Sequence, residues 1–276
     1  MDFWQLILLG LIQGLSEFLP ISSSGHIVAL GTIFQIDVTK LGDISIALHF
    51  GTLMAICAVY SEQLKDLSGK DRVLLKPLFI GSLPAGIVGI ILVATGLNDQ
   101  LHRADITGLM LIITGCVLWF GGRVDSEEEV PDTPSTTPTV SGKSAFLIGL
   151  TQACAILPGL SRSGLTIVTA RRLGVDAKLA TKFSFFLAIP IIGGASLITF
   201  IASIMEFRES GGNEGELAPQ QQDALYLLLI GVVISAAVGF LALRWLIKLI
   251  ERGKFHQFAF WCIPLGVILL IYSLYG

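Results

Sequence analysis

The chain has 276 residues, of which 53% are hydrophobic and 14% are charged, and its formal net charge is −3. This charge leaves no basic surplus of the kind that nucleic-acid binding requires, and the four cysteines lack the paired spacing of a zinc site or a disulfide framework. Apolar stretches repeatedly reach the length of about 20 residues that crosses a bilayer core. The composition therefore predicts an all-α, polytopic membrane protein.

Residues 1–37 form the first apolar region, which is interrupted by "LPISSSG" (19–25). Because Pro removes a backbone donor and Gly weakens a helix, we expect two short helices joined by a polar turn. We interpret this region as a re-entrant hairpin. Three uninterrupted membrane spans are predicted after it, at residues 43–61, 77–97 and 105–123.

Residues 124–143 join the two halves of the chain and include "DSEEEVPDTPSTTPT" (125–139). This stretch is rich in Pro, Thr and acidic residues and lacks apolar periodicity, which is typical of disorder. We predict a disordered cytoplasmic linker without a function of its own.

The second half of the chain, residues 144–276, follows the same plan as the first half, residues 1–123. Its hairpin region, 144–175, is interrupted by "LPGLSRSG" (157–164). The predicted spans after this hairpin are 181–205, 223–247 and 255–275.

The two interrupted regions also resemble each other in sequence. "GLIQGLSEFLPISSSG" (10–25) matches "GLTQACAILPGLSRSG" (149–164) at Gly, Leu, Gln and Ser-x-Ser-Gly. We therefore predict an internal repeat in which each copy contains one hairpin and three spans. An odd number of crossings inverts the second copy, so the two hairpin tips are expected to meet near the membrane midplane.

The distribution of basic residues tests this topology. With both hairpins re-entrant, the 18 Lys and Arg residues all fall on one side except Lys40, Arg103, Arg208 and the tip residue Arg162. Cytoplasmic loops carry an excess of Lys and Arg. We therefore expect the basic side in the cytoplasm and both termini outside.

Three ionisable residues, Glu17, His26 and Arg162, fall at membrane depth, where such groups usually mark function. The serine-rich turns start new helices, whose N-termini bind anions, and the guanidinium of Arg162 suits phosphate oxygens. A carboxylate beside a phosphate requires a cation between them. Glu17 and Gln13 share one helix face and would suit Mg²⁺ or Ca²⁺. His26 has the chemistry of a nucleophile, a general base or a general acid.

Simpler interpretations of these residues stay open. Serines in these turns are also what helix capping requires, and Glu17 and Arg162 would also satisfy each other as a structural ion pair. His26 is also consistent with a hydrogen-bonded core histidine, and this is the interpretation we prefer for His49. The convergence of polar groups on two paired tips favours a site.

The segments "QGLSEFLPISSSGH" (13–26) and "PGLSRSG" (158–164) resemble the two signature motifs of the bacterial undecaprenyl-diphosphate phosphatase family, also known as bacitracin-resistance proteins. The resemblance covers essentially the whole chain. It implies interlocked inverted repeats in the bacterial inner membrane, often as a homodimer, with a cavity that opens to the extracytoplasmic side. It also implies hydrolysis of undecaprenyl diphosphate to undecaprenyl phosphate and inorganic phosphate, which recycles the lipid carrier for peptidoglycan synthesis and confers bacitracin resistance.

The resemblance also implies roles for individual residues. The first signature corresponds here to Gln13, Glu17, Ser22, Ser23 and His26, and the second to Arg162 between Ser161 and Ser163. Gln13 stands where many members carry Glu, and Leu160 stands where a second Arg is common.

We predict from this that Glu17 and Gln13 hold the divalent cation. Either His26 attacks the terminal phosphorus or Ser23 attacks with His26 as its base. The predicted phosphate-binding residues come from both tips: Ser22, Ser24, Gly25, Ser161, Arg162, Ser163 and Gly164. The alternative function is a transporter or flippase for a lipid phosphate or small anion, which has less use for the carboxylate and the imidazole.

Overall fold

A computed structural model describes residues 3–35, 38–96, 101–122, 139–209, 219–251 and 253–275. The described residues form helices and turns. Most of the predicted linker, residues 124–138 of 124–143, lies outside the described residues. In chain order the helices are α1 Phe3–Ser16, α2 Ser23–Phe34, α3 Val38–Val59, α4 Ser61–Asp66, α5 Leu75–Thr95, α6 Ala104–Gly121, α7 Gly142–Cys154, α8 Arg162–Arg172, α9 Ala177–Glu209, α10 Pro219–Glu251 and α11 Ala259–Tyr275. Short 3₁₀ turns at Arg72–Leu74 and Phe255–Phe258 precede α5 and α11.

Five helices in the described part of the chain are long and apolar enough to cross a membrane. The qualifying segments are Arg72–Thr95, Ala104–Gly121, Ala177–Thr199, Tyr226–Ile250 and Phe255–Tyr275. The sequence predicted six spans. The remaining one, at 43–61, falls in α3, whose apolar part Ile44–Val59 is shorter than the other five. The protein is a multi-span helical membrane protein.

Each interrupted region forms two short helices joined by a turn, α1 with α2 and α7 with α8. The second helix begins in the same way in both regions, because a serine accepts a hydrogen bond from the backbone N–H of the third helical residue. Ser22 Oγ accepts from the Gly25 N–H at 3.2 Å, and Ser161 Oγ accepts from the Gly164 N–H at 3.1 Å.

The first helix of each interrupted region packs on a long helix from the other half of the chain, α1 on α10 and α7 on α5. The approach of α7 to α5 is close enough to require glycine. A Cβ atom added at Gly149 would lie 2.3 Å from the carbonyl oxygen of Gly81. The two halves of the chain therefore interlock, because each contributes a short helix that packs on a long helix of the other half.

The core beneath the two turns is aromatic. Phe18, Phe183 and Phe185 are fully buried, and the rings of Phe18 and Phe185 meet edge to face with centroids 5.5 Å apart. Because Phe18 directly follows Glu17 in the chain, this packing fixes the backbone of the first turn beside α9.

The ends of several helices that carry basic residues lie together at one end of the molecule. Lys182 Nζ lies 2.8 Å from Asp71 Oδ2, which joins the start of α9 to the chain after α4. Arg172 at the end of α8 donates to the carbonyl oxygen of Phe120 near the end of α6. A cavity lined by Tyr60 and Ile250 brings the ends of α3 and α10 to the same place.

Candidate functional site

A pocket of about 310 Å³ lies between the two turns and the helices α3 and α9. Polar residues of both turns line it, namely Glu17, Ser22, Ser23, Ser24, Ser161 and Arg162. Apolar residues also line it, including Ile46, Ile156, Ile191, Ile192 and Ala195. The pocket therefore offers both charged and apolar surface to one ligand.

Glu17 contacts polar residues of both interrupted regions, and its side chain is buried. Its Oε1 lies 2.6 Å from Arg162 Nη2, and its Oε2 accepts a hydrogen bond from Ser23 Oγ at 2.7 Å. A buried carboxylate is tolerated only with such partners. The structure thus brings together the ionisable residue of the first turn and that of the second.

Two further groups contact Oε2 of Glu17. Gln13 Nε2 donates to this oxygen from 3.1 Å, and His49 Nε2 lies 3.2 Å from it. His49 Nδ1 lies 2.6 Å from the backbone oxygen of Ser45. Because a carbonyl oxygen only accepts, Nδ1 carries the N–H of this bond, and Nε2 faces the carboxylate of Glu17.

His49 is a site residue whose importance the sequence did not reveal. It was predicted to be a hydrogen-bonded interior histidine, and its Nδ1 does bond the backbone oxygen of Ser45. Its Nε2, however, lies 3.2 Å from Glu17 Oε2, and its side chain lines the pocket. The feature of the sequence that could have identified His49 as a site residue is its position in an apolar helix, where ionisable groups are costly.

Arg162 is the first residue of α8 and is held on three sides. Besides Glu17, it contacts the backbone oxygen of Ser184, to which Nη1 donates at 3.3 Å, and the ring of Phe185, whose centroid lies 5.8 Å from Cζ. These described hydrogen bonds use two of the five N–H groups of a guanidinium. Since the side chain also lines the pocket, Arg162 can bind an anion there.

His26 was expected to surround one ligand together with Glu17 and Arg162, but it is not among the residues that line the pocket. His26 Nδ1 lies 2.7 Å from the backbone oxygen of Ser22 and donates to it, and Nε2 accepts from Trp261 Nε1 at 2.8 Å. The two rings are stacked. Both ring nitrogens of His26 are therefore hydrogen-bonded, Nδ1 to the backbone of Ser22 and Nε2 to the indole N–H of Trp261 in α11.

The serines and glycines of the turns divide into two groups. Ser22, Ser23, Ser24 and Ser161 line the pocket, although Ser22 and Ser161 are also helix caps, as the simpler interpretation held. The remaining three predicted phosphate-binding residues do not line it. Ser163 Oγ donates to the Leu19 oxygen at 3.4 Å, and the backbone N–H groups of Gly25 and Gly164 bind the capping serines.

Thr114 of α6 supports the second turn and was not identified from the sequence. Its hydroxyl donates to the carbonyl oxygen of Gly159 at 2.8 Å and accepts from the N–H of Ser161 at 3.0 Å. These bonds satisfy two buried backbone groups that the broken helix leaves without helical partners. Thr114 therefore fixes the residue that precedes Arg162.

The residues predicted to hold a divalent cation are adjacent in the structure. The Oε1 atom of Gln13 is buried and lacks a hydrogen-bond partner among the described residues, while the Nε2 atom of the same amide faces Glu17. Gln13 is not among the residues that line the pocket. Within the described ranges no cluster of three or more His, Cys, Asp and Glu exists. The described donors are too few to form a complete protein cage around a metal. They fit Mg²⁺, which usually binds through one or two carboxylates plus substrate phosphates.

Comparison with known proteins gives consistent matches. Residues 6–268 match the family model described as bacitracin resistance protein BacA. A protein of Rhodopirellula baltica named undecaprenyl-diphosphatase is 38% identical over 273 residues, which are 98% of each chain. Proteins of the same name from Halothermothrix orenii and Geotalea daltonii are 30% and 31% identical, with 98% and 100% of each chain covered.

Proposed function

Because the chain belongs to the bacitracin resistance protein BacA family, we infer that it is an undecaprenyl-diphosphatase. It hydrolyses undecaprenyl diphosphate to undecaprenyl phosphate and inorganic phosphate, and so returns the lipid carrier to peptidoglycan synthesis and confers bacitracin resistance. The observation that carries the assignment at the level of residues is the contact between Glu17 and Arg162 at the head of the pocket. A purely structural ion pair would have no need of a pocket lined with hydroxyls.

The pocket suits an amphiphilic diphosphate. Its lining includes a guanidinium and serines of both turns, which are donors for phosphate oxygens, together with isoleucines that suit a prenyl chain. Binding energy from the remote prenyl chain can hold the diphosphate in position for reaction. We propose that the diphosphate lies against Arg162 and the serines while the chain extends along the apolar lining into the lipid.

We propose Ser23 as the attacking group, with Glu17 as its base in place of His26. Ser23 Oγ already donates a hydrogen bond to Glu17 Oε2 at 2.7 Å, whereas both nitrogens of His26 are hydrogen-bonded to other groups, the Ser22 backbone oxygen and the Trp261 indole. Ser23 Oγ would bond to the terminal phosphorus while the bridging P–O bond breaks and its electron pair leaves with undecaprenyl phosphate. The Ser23 proton passes to Glu17. Water then attacks the phosphoserine, the Oγ–P bond breaks to release inorganic phosphate, and the proton on Glu17 returns to Ser23 Oγ.

The ion pair couples this proton transfer to stabilisation of the phosphate. While Glu17 is ionised, it holds one edge of the Arg162 guanidinium. Protonation by Ser23 removes the charge of the carboxylate, so the charge of Arg162 becomes available to the phosphoryl oxygens as the reaction proceeds. An interaction that strengthens in the transition state accelerates the chemical step.

We propose that Glu17 and Gln13 hold a divalent cation, Mg²⁺ or Ca²⁺, when the substrate is bound. The unpartnered amide oxygen of Gln13 supports this proposal. A bound cation would neutralise phosphate charge and polarise the bond that breaks. Because the described donors are few, the cation should depend on substrate oxygens for much of its coordination.

We propose the inverted-repeat topology predicted from the sequence, with six spans, two re-entrant hairpins and repeats at 1–123 and 144–276. The reciprocal packing of α1 on α10 and α7 on α5 supports the repeat, because each interrupted region contacts the other half in the same way. A homodimer stays a prediction of the resemblance. Determining the mass of the detergent-solubilised protein would test it.

We propose that the pocket opens to the extracytoplasmic side of the inner membrane and that both termini lie outside. Along α9, Ser196 in the pocket lies 18 residues after Lys178 at the basic end, which is about 27 Å at 1.5 Å per residue. Along α3, Ser45 in the pocket is separated from Tyr60 by about 22 Å on the same rise. The basic end is cytoplasmic by the positive-inside rule, so the pocket is nearer the opposite face.

The decisive experiment is phosphate release from undecaprenyl diphosphate by the purified protein in detergent, where transport across a membrane cannot occur. Turnover without a membrane supports the hydrolase. Binding of the lipid without turnover would instead support the alternative, a carrier of lipid phosphate. A soluble diphosphate measured in parallel separates the contribution of the prenyl chain.

A further inference from the structure

We propose that His49 is a positioning residue that orients the carboxylate of Glu17 for its reaction with Ser23. The proposal rests on the proposed function. His49 Nε2 lies 3.2 Å from Glu17 Oε2, and this oxygen also accepts the hydrogen bond of Ser23. The hydroxyl of Ser23 and the imidazole of His49 therefore both contact the same oxygen, Oε2 of Glu17.

The ring of His49 is fixed in orientation by its second nitrogen. Nδ1 lies 2.6 Å from the backbone oxygen of Ser45, one turn earlier on α3. A carbonyl oxygen accepts only, so Nδ1 donates to it. A histidine held in this way through one nitrogen presents the other in a defined direction, and here that direction is towards Glu17.

The backbone that carries His49 is equally constrained. On one side, Ser235 Oγ of α10 donates to the carbonyl oxygen of Leu48 at 2.8 Å. On the other side, a Cβ atom at Gly51 would lie 2.4 Å from the carbonyl oxygen of Val232. Because α3 and α10 are in direct contact on both sides of His49, the imidazole is held by the scaffold, as the support of an accurate site requires.

The other described contacts of Glu17 all come from the two interrupted regions, with Arg162 at Oε1 and Ser23 and Gln13 at Oε2. Rotation about the last side-chain bond of Glu has broad minima, so the contacts at both oxygens set the carboxylate plane. Gln13 is four residues earlier on the same chain segment and so moves together with Glu17. His49 comes from a different helix, and it ties Oε2 to α3, outside both turns.

The test compares three substitutions in the detergent phosphate-release assay. In H49Q the amide nitrogen can take the place of Nε2 and donate to Glu17, whereas H49N is too short to reach it and H49L has no donor. We expect H49N and H49L to lower kcat by about 10–100-fold, the usual effect of losing a partner that orients an active-site ligand. The value of KM should change by less than about threefold. H49Q should recover kcat to within about fivefold of the unsubstituted protein.

The matched control is H256Q, since His256 lies against the ring of Trp119, 6.2 Å away, and does not line the pocket. We expect its kcat to be unchanged. Thermal unfolding of each variant shows whether it is folded.

Three results would overturn the role of His49: normal kcat in H49L, equal loss in H49Q and H49N at equal stability, or a rise confined to KM. The last would mean that His49 binds the substrate directly. If the unsubstituted protein releases no phosphate, the proposed function itself fails, so the two failures can be told apart.

Discussion

Glu17 and Arg162 are 145 positions apart in the sequence, and Oε1 of the first lies 2.6 Å from Nη2 of the second. Each belongs to a turn that breaks an apolar region, and neither turn alone contains both a carboxylate and a guanidinium. The pair exists because the two halves of the chain pack through one another. The candidate site therefore depends on the association of both halves.

Replacing either member of this pair should abolish most activity. We expect E17Q to lower kcat by about 10²–10⁴-fold, since it removes the base. R162K should lower kcat by about 10²–10³-fold, because Lys keeps the charge but lacks the planar fork. The measurement is phosphate release in detergent. R103K is the control, since the pair of Arg103 with Asp105 is exposed; similar losses in R103K would show that the effect is not local to the pocket.

Ser23 should carry phosphate during turnover. Rapid acid quenching followed by mass spectrometry should detect phosphate on the peptide that contains Ser23, because a phosphoserine survives acid. S23A should lower kcat by at least about 10³-fold, whereas S24A should have a smaller effect, since Ser24 lines the pocket without contacting Glu17. A parallel quench in alkali preserves phosphohistidine, and phosphate on His26 in that sample would contradict this assignment and restore the imidazole as the attacking group.

Thr114 should contribute stability as well as local order. T114V leaves the Gly159 carbonyl and the Ser161 N–H without their partner, which should cost about 1–3 kcal/mol for a buried unsatisfied group and lower the thermal midpoint. T107V is a matched control on the same helix, because the hydroxyl of Thr107 is buried without a hydrogen-bond partner in the described residues. Its midpoint should be unchanged or higher. Equal thermal midpoints in the two variants would show that the hydrogen bonds of Thr114 do not contribute this stability.

Removal of divalent cations should stop turnover without unfolding the protein. In excess EDTA we expect phosphate release to fall to background and to return when Mg²⁺ or Ca²⁺ is added. Because the described pocket contains few ligands of its own, the cation should bind weakly in the absence of substrate. Full turnover in EDTA would exclude the proposed role of Glu17 and Gln13 as cation ligands.

The orientation in the membrane can be tested by cysteine labelling. The background variant lacks the four native cysteines, Cys57, Cys116, Cys154 and Cys262. In it, S68C at the basic end should react with an impermeant reagent only after the membrane is opened, and R103C should react from outside. Both positions are exposed. The reverse pattern would place the pocket on the cytoplasmic side.

The motifs "QGLSEFLPISSSGH" and "PGLSRSG" predicted the family and the activity, and the match over residues 6–268 confirms the family. They could do so because helix breaks, capping serines and ionisable residues in apolar segments are local features of the chain. The same local rules offered helix capping as one role for the serines of the turns, and in the structure Ser22 and Ser161 bind the third N–H of their helices.

The sequence by itself determined that the chain is helical, that it enters a membrane, and that two broken regions carry its polar groups. These properties follow from the cost of burying charges and unpaired backbone groups in hydrocarbon, which acts on every segment separately. Only the tertiary structure decided which polar groups share the pocket. Helix packing brought His49 to Glu17, engaged His26 with Trp261 and placed Thr114 under the second turn. These contacts depend on how distant helices pack together, and the spacing of residues along one helix does not contain that information.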